Sequence, residues 1–332
     1  MEEEYKCPCR EVDPDNFITN EEVYELLSSK KRYKFSQEDY LRLYNCIHCN
    51  ACGTAEERFL LKEKYLKDGN EIKGLREILA NFEQYQSPFI HNKSRIKPIE
   101  GIPLESTTLL YLGCFTTVKT PKYGENIIRY LLKENIDFCL LDREICCGYP
   151  ILCNGEIKLY EKFVEKNLEL FKSKGFEKVI TACPSCYMVF KKHYSGHGIE
   201  TEYFTDYLKP ANPRKKGNLI IQHACPLKNG EIPGIADHLE KLYKESGYNI
   251  LDSVPRDCCG FGVGHQLRLD VSETIAIKRM RDFKEEGGYL KNLDDEENYI
   301  TSYCPDAYWV LKAFGRKQRI PFKVRDMCSL LI

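Results

Sequence analysis

Two pairs of adjacent cysteines, each followed by a glycine, are the most unusual feature of the sequence. Cys146–Cys147 occurs in "REICCGYPI" and Cys258–Cys259 occurs in "RDCCGFGVG". Neighbouring side chains of a strand point to opposite faces, and a disulfide between adjacent residues has unfavourable geometry. A bend at Gly148 or Gly260 would instead let both thiols of a pair face one group. The pairs are therefore candidate metal ligands.

The first pair belongs to a larger set of cysteines. Cys114 and Cys146 are separated by 31 residues, and Cys183 and Cys186 follow in "CPSC". Zinc takes four ligands in a tetrahedron and gains nothing from a fifth. An iron–sulfur cluster contains several irons, so neighbouring thiolates can bind different ones. A set of five cysteines therefore favours an iron–sulfur cluster.

The set around the second pair is one cysteine smaller. Cys225 precedes the pair and Cys304 follows it, but Ala307 occupies the last position of "CPDA". The gap between Cys259 and Cys304 is 44 residues, compared with 35 between the pair and "CPSC" in the first set. Four thiolates can hold an ordinary cluster or zinc. A second site that binds nothing is the remaining alternative.

A third set lies in "NCIHCNACG", whose cysteines are Cys46, Cys49 and Cys52. Their CxxCxxC spacing is typical of a [4Fe-4S] cubane site, with a fourth ligand supplied from elsewhere. "CPC" near the N-terminus offers that ligand, and we favour Cys7 over Cys9 because a proline follows it. The alternative is zinc completed by His48 or Cys9. In the cubane interpretation, His48 points outward or donates a hydrogen bond to a sulfur.

Three further cysteines lie outside these sets. Cys139 and Cys328 occur in apolar segments, so we expect both in the hydrophobic core. Cys153 follows the first pair closely, but we expect it not to contact the cluster region.

The elements that would position the cysteines form an internal repeat. Residues 108–114, 135–148 and 178–186 correspond to residues 218–225, 247–260 and 298–307. These segments are apolar and indicate strands, and amphipathic helices lie between them. In open α/β sheets, sites gather beyond the carboxyl ends of the strands. Every cysteine of the repeated pattern lies at such an end.

Polar links that contain proline divide the chain into three predicted units. Residues 1–103 are predicted to form a mostly helical segment, because their apolar residues lie three and four apart. The CxxCxxC motif predicts that this segment is a ferredoxin-like [4Fe-4S] segment. Residues 104–215 contain the first repeat and residues 216–332 the second. The predicted fold is a tandem, pseudo-symmetric pair of α/β repeats that follows the helical segment.

The composition narrows the class of protein. The 332 residues include 17 cysteines, and 49 Lys and Arg balance 50 Asp and Glu. We expect no nucleic-acid partner, because there is no excess of basic residues. The start lacks the features of a signal peptide and no apolar run could cross a bilayer, so we expect a cytoplasmic protein without a membrane span of its own. Clustered cysteines in that compartment indicate metal or redox chemistry.

The pattern Cys–x31–Cys–Cys–Gly–x34–Cys–Pro–x–Cys resembles the CCG cysteine-rich domain of heterodisulfide reductase catalytic subunits (B/D type). It is also similar to the iron–sulfur subunits of glycolate oxidase and anaerobic glycerol-3-phosphate dehydrogenase. The tandem resemblance covers about residues 107–310. It implies that a non-cubane [4Fe-4S] cluster is held by Cys114, Cys146, Cys147, Cys183 and Cys186. A cluster or zinc in the second CCG repeat would be held by Cys225, Cys258, Cys259 and Cys304.

The resemblance implies an iron–sulfur oxidoreductase that reduces a disulfide. Electrons would pass from the N-terminal cubane to the non-cubane cluster, supplied by a ferredoxin, a flavoprotein or a hydrogenase-like subunit. His223 and His265 are candidate proton donors, although histidines at such places are more often structural. The alternative function is an electron-transfer subunit of a dehydrogenase complex, without substrate chemistry of its own. A structural or scaffold protein is a third hypothesis.

Overall fold

The computed structural model describes residues 7–32, 34, 36–90, 93–212, 217–225, 234–251, 257–262, 267–290 and 297–332. The helices are α1 (Pro8–Val12), α2 (Asn20–Ser28), α3 (Gln37–Tyr44), α4 (Ala55–Lys67), α5 (Leu75–Tyr85), α6 (Cys114–Val118), α7 (Pro121–Lys133), α8 (Tyr149–Cys153), α9 (Ile157–Ser173), α10 (Pro184–Tyr194), α11 (Ile235–Glu245), α12 (Leu269–Leu290) and α13 (Pro305–Gln318). The strands are β1 (Thr108–Tyr111), β2 (Lys178–Thr181), β3 (Glu200–Tyr203), β4 (Asn218–Ile221), β5 (Asn249–Ile250), β6 (Asn298–Thr301) and β7 (Lys323–Val324). His265 lies outside the described residues.

Two parallel sheets confirm the predicted α/β repeats. The first sheet has the order β1-β2-β3 and the second has the order β5-β4-β6-β7. Helices connect successive parallel strands, as a parallel arrangement requires. The carboxyl ends of β1 and β2, and of β4 and β6, therefore meet at one edge of each sheet.

The strand predictions differ from the structure in two respects. Residues 135–148 contribute an isolated bridge between Cys139 and Leu109 rather than a strand. The edge strands β3 and β7 were not expected from the sequence, because their short segments are partly polar. Partial exposure of an edge strand weakens the apolar pattern that identifies a buried one.

A continuous core joins the two repeats. Leu110 and Ile180 of the first sheet belong to the same buried apolar cluster as Leu219 and Ile300 of the second. Tyrosine hydroxyls within this core bond to the backbone: that of Tyr243 donates to the Met327 carbonyl at 2.8 Å and that of Tyr248 to the Leu330 carbonyl at 3.0 Å. The relative position of the repeats is thus fixed by shared packing.

The N-terminal segment is mostly helical, as predicted, and bonds to both repeats. The guanidinium of Arg268 donates to Asp13 at 2.7 Å and to the carbonyl of Leu41 at 2.8 Å. The ammonium of Lys62 donates to the carbonyl of Cys153 at 2.7 Å. None of the described helices combines the length and the apolar character that a bilayer crossing requires.

The chain turns sharply after each cysteine pair, as the two glycines suggest. Gly148 has φ +89° and Gly260 has φ +88°, in the left-handed region that other residues rarely adopt. A Cβ at residue 260 would lie 2.6 Å from the carbonyl oxygen of Ser272 and 2.7 Å from the nitrogen of Ala276. Both the backbone conformation and the packing against α12 therefore require glycine.

We expect Gly260→Ala to lower the free energy of unfolding by roughly 3 kcal/mol or more, from a left-handed alanine and a backbone clash. Gly175→Ala is the matched control, since Gly175 also has positive φ (+73°) but no atom lies within 4 Å of the place that its Cβ would take. The control should cost about 1 kcal/mol. Urea unfolding of the two variants measures the difference, and equal losses would contradict the close approach of α12.

Candidate metal centres

The first cysteine set lies at the carboxyl edge of the first sheet. Cys114 begins α6, three residues after β1 ends, and Cys183 is the N-cap of α10, two residues after β2. Cys186 lies in the first turn of α10. Pro184 at the first helical position has a fixed φ that suits a helix start and holds the preceding cysteine extended. The sequence thus delivers three thiols to one edge through two strand-to-helix turns.

The thiols of the first set form a continuous series of contacts. The sulfurs of Cys114 and Cys146 are 3.8 Å apart. Cys147 contacts both Cys146 and Cys186, and Cys186 contacts Cys183. The structure therefore brings together all five predicted ligands, including both members of the adjacent pair.

Two polar side chains, one of them buried, hold the backbone around these thiols. The carboxylate of Glu144 accepts hydrogen bonds from the amides of Leu112 and Gly113, each at 2.7 Å. The amide of Asn167 donates to the carbonyl of Cys146 at 2.9 Å. These bonds fix the two loops that carry Cys114 and the pair, which pre-organises the set. Burial raises the pKa of Glu144 to about 7.

The electrostatics of the first set suit a metal group of several atoms. Contact with neighbouring thiols and burial hold the pKa values of Cys146, Cys147 and Cys186 well above their usual range. Without a cation, these thiols remain protonated. A bound metal group would reverse this preference, because its positive charge stabilises thiolates. The five donors fit an iron–sulfur cluster by their number and sulfur chemistry.

The second set is assembled in the same way at the second sheet. Cys304 is the N-cap of α13, three residues beyond the end of β6, and Pro305 starts that helix. The thiol of Cys258 contacts the thiols of Cys225 and Cys259. Cys304 interacts electrostatically with Cys259, so all four predicted ligands lie together.

The second set also has a neighbour that the sequence did not indicate. The thiol of Cys258 contacts Cys49 of the N-terminal motif. A small cavity of about 40 Å³ is lined by Cys49 and by all four cysteines of the second set. Residues of the N-terminal motif and of the second repeat therefore line the same cavity.

The N-terminal set brings "CPC" to the CxxCxxC loop. Cys7 hydrogen-bonds to Cys9, which lowers the pKa of Cys7 to about 6 and raises that of Cys9. Cys9 is buried and interacts electrostatically with Cys46 and Cys49. Cys52 lies within 3.2 Å of the hydroxyl of Thr54. Both "CPC" thiols thus remain available as the fourth ligand.

Two buried cations of α4 flank this set. Arg58 hydrogen-bonds to Cys52 and interacts electrostatically with Cys46 and Cys7. Lys62 is fully buried, lies over the ring of Tyr44 and donates to the carbonyl of Cys153. Positive charge beside thiols favours their deprotonated, metal-binding form.

His48 is buried, so an outward orientation is wrong. Its Nε2 lies 2.7 Å from the ammonium of Lys62, and its backbone amide donates to the sulfur of Cys46 at 3.4 Å. Burial and the nearby lysine hold the pKa of His48 well below its usual range. The neutral imidazole accepts from Lys62 and links the motif to α4.

The two repeats face each other through their cysteines. Cys304 interacts electrostatically with Cys183, and Asp306 does so with Cys114. Pro184 and Ser185 of the first repeat line the same cavity as the second set. Burial raises the pKa of Asp306 to about 7. The cysteine sets of the three units thus converge on one region of the molecule.

Several residues at this region were missed or misjudged from the sequence. Cys139 and Cys328 are buried as predicted. Cys153, which we expected not to contact the cluster region, is buried and interacts electrostatically with Cys147 and Cys46. His223 hydrogen-bonds to Glu240 at 3.1 Å, the structural role that histidines more often have. The sequence did not indicate that Arg58 and Lys62 lie beside the cysteines, because each belongs to a helix with many charged residues.

No group of three or more histidine, cysteine, aspartate or glutamate side chains in the described ranges is arranged to hold a single metal ion. The thiols of the first set lie instead in series, each in contact with the next. Such a series differs from the arrangement of ligands around one ion.

We expect Lys62 to make stability depend on pH. Burial lowers its folded-state pKa to about 8, whereas an unfolded lysine titrates near 10.4. Between these values the unfolded state binds more protons, so this lysine's contribution to the free energy of unfolding rises with pH, by roughly 3 kcal/mol in total. Urea unfolding of wild type and Lys62→Met from pH 7 to 10.5 measures this contribution as the change in their difference.

The exposed lysine of the same helix provides the control for this experiment. Lys67→Met should leave the pH dependence of the wild type unchanged, because that side chain is 60% exposed. Parallel stability curves for wild type and Lys62→Met would contradict a buried, destabilised ammonium.

Comparison with known proteins gives the family. The CCG model, described as a cysteine-rich domain, matches residues 108–191 and 219–312, more than half of the chain. An uncharacterized iron–sulfur protein of Methanococcus maripaludis is 22% identical over 97% of this chain and 70% of its own length. A dihydromethanophenazine:CoB–CoM heterodisulfide reductase subunit from Methanosarcina acetivorans is 23% identical over 79% of this chain and 70% of its own length.

A shorter similarity involves another oxidoreductase. A fumarate reductase (CoM/CoB) subunit from Methanothermobacter marburgensis is 25% identical over 51% of this chain and 36% of its own length. The family match coincides with the two α/β repeats, and the relatives are iron–sulfur proteins and oxidoreductase subunits. The chain belongs to the CCG cysteine-rich domain family, within a group of iron–sulfur electron-transfer proteins related to heterodisulfide reductase.

Proposed function

We propose that this protein is an iron–sulfur oxidoreductase that reduces a disulfide to two thiols. In the overall reaction the S–S bond breaks and a redox partner, such as a ferredoxin, a flavoprotein or a hydrogenase-like subunit, supplies two electrons. Two protons complete the two thiol products. The partner would be another subunit or a separate redox protein in the cytoplasm.

The observation that carries the proposal is the meeting of the two repeats at their cysteines. Cys304 and Asp306 of the second repeat lie within electrostatic range of Cys183 and Cys114 of the first. A disulfide bound there could approach sulfur-rich sites of both repeats at once. The similarity to a heterodisulfide reductase subunit supports the same substrate class.

The proposed cofactors follow the three cysteine sets. The five cysteines of the first set would hold a non-cubane [4Fe-4S] cluster. The second set would hold a cluster rather than zinc, because no group of side chains among the described residues is arranged for a single ion. A [4Fe-4S] cubane would be held by the N-terminal set. When bound, these groups would supply electrons one at a time and a metal to which a sulfur can bind.

The protein's own residues would shape the substrate site. Ile47, Tyr149 and Phe261 contribute apolar walls to the cavity at the second set, which favours exclusion of water. Ser185 and Asp306 contribute the polar groups that can orient a bound ligand.

Electron transfer without substrate chemistry is the second candidate function. It is favoured by Ala307, which removes a thiol from the second repeat. With one complete set, the chain would relay electrons to a dehydrogenase or reductase subunit that binds the substrate itself.

We expect Cys147→Ser to abolish the unusual paramagnetic signal of the first repeat and to leave the N-terminal signal intact. Cys147 lies in the middle of the series of thiol contacts, between Cys146 and Cys186. Cys139→Ser is the matched control, because Cys139 is buried in the same repeat but its thiol contacts the Ser106 carbonyl instead. EPR of anaerobic, reduced protein measures the signals. An unchanged spectrum in Cys147→Ser would contradict the five-ligand assignment.

Turnover distinguishes the two candidate functions. A disulfide reductase should consume a reduced viologen dye when supplied with a disulfide of two thiol cofactors, and should release both thiols. Cys139→Ser should retain this activity, whereas Cys147→Ser should lose nearly all of it. Dye oxidation that never depends on a disulfide, together with copurification of a dehydrogenase, would support the relay function instead.

A further inference from the structure

The second cysteine set is one thiol short of the first, and the structure supplies a substitute. Cys258 contacts Cys49 as well as Cys225 and Cys259. The cavity at this set is lined by Cys49 and by the four second-repeat cysteines, whereas the other N-terminal cysteines do not line it. Cys49 thus contacts the second set and lines its cavity, although the motif that contains Cys49 belongs to the N-terminal set.

The position of the missing thiol is on the same cavity. Ala307 occupies the place that Cys186 has in the first repeat, and it lines the cavity together with Cys49. Ala307 is buried. Cys49 therefore offers a thiol on the cavity where the second set lacks the one that Cys186 supplies in the first.

The N-terminal set does not need Cys49 for a cubane, because it contains one more cysteine than a cubane binds. Five cysteines lie in this segment, and a cubane takes four. Cys9 is buried, bonds to Cys7 and interacts electrostatically with Cys46 and Cys49. Arg58 interacts with Cys7, Cys46 and Cys52, which groups these three thiols around one guanidinium. Cys7, Cys9, Cys46 and Cys52 would thus supply the four ligands of a cubane if Cys49 binds elsewhere.

We propose that Cys49 is the fifth thiolate ligand of the second-repeat centre, in place of the cysteine absent at Ala307, and that Cys9 completes the N-terminal centre. This inference rests on the part of the proposed function that loads the chain with iron–sulfur clusters. It assigns both cysteines of "CPC" to the same centre. The loop from Cys46 to Cys52 would then carry ligands of both the N-terminal centre and the second-repeat centre.

The test compares serine variants of two cysteines from the same loop. Cys49→Ser and Cys46→Ser are reconstituted anaerobically, and iron, acid-labile sulfide and EPR spectra are measured. Cys258→Ser and Cys9→Ser define the losses that belong to the second-repeat and N-terminal centres. Cys49→Ser should lose the same signal and about four irons as Cys258→Ser, and Cys46→Ser should match Cys9→Ser.

A rescue variant separates a lost ligand from a lost fold. Ala307→Cys in the Cys49→Ser background returns the fifth thiol from within the repeat and should restore the second-repeat signal. A misfolded protein could not show this gain. Failure of rescue in a protein that retains the first-repeat and N-terminal signals would overturn the proposal.

Two other outcomes would also overturn it. Cys49→Ser could lose the signal that Cys46→Ser loses, which would return Cys49 to the N-terminal centre. Wild type and Cys258→Ser could contain the same iron, which would leave the second repeat without a cluster for Cys49 to bind. In both cases, a first-repeat EPR signal that still changes when thiols are added would support the proposed disulfide chemistry. Failure of the Cys49 assignment can therefore be distinguished from failure of the proposed function.

Discussion

The contact of buried thiols with one another is the physical constraint on which this structure depends. In the first repeat, Cys146 and Cys147 lie in a series of thiols in contact, and the hydrogen bonds between these thiols together with burial raise their pKa values and keep them protonated. If these groups ionised without a counter-charge, repulsion and desolvation would both oppose folding. Metal binding would convert the same arrangement into a stabilising one, because ligands assembled by folding return binding energy to the fold. The core and the proposed cofactor sites would therefore form one energetic unit.

Parallel strands and two glycines bring the thiols into contact through short sequence motifs. Each strand delivers its cysteine to the same sheet edge, and a proline-started helix follows both Cys183 and Cys304. The left-handed turns at Gly148 and Gly260 let each adjacent pair face inward. Repetition of these devices in two units explains why the two halves can present sulfur to each other across their shared core.

The sequence predicted what depends on periodicity and spacing. The tandem repeat, the main strands and the grouping of Cys146 with Cys183 follow from patterns within one unit, and the structure has them. Contacts between units leave no such trace: nothing in "CIHCNACG" indicates that Cys49 touches Cys258. The burial of Lys62 was equally hidden, because a charged residue on an amphipathic helix normally faces solvent. The edge strands escaped detection because partial exposure dilutes their apolar pattern.

The buried pair Arg58 and Lys62 gives helix α4 a role beyond packing. The two residues are one helical turn apart and extend toward the N-terminal cysteines from one face. A sulfur-ligated centre gains negative charge when it takes up an electron, and fixed cations nearby make that uptake more favourable. Helix α4 would thus favour reduction of the N-terminal centre, so that an electron from the redox partner enters the protein there before a substrate binds.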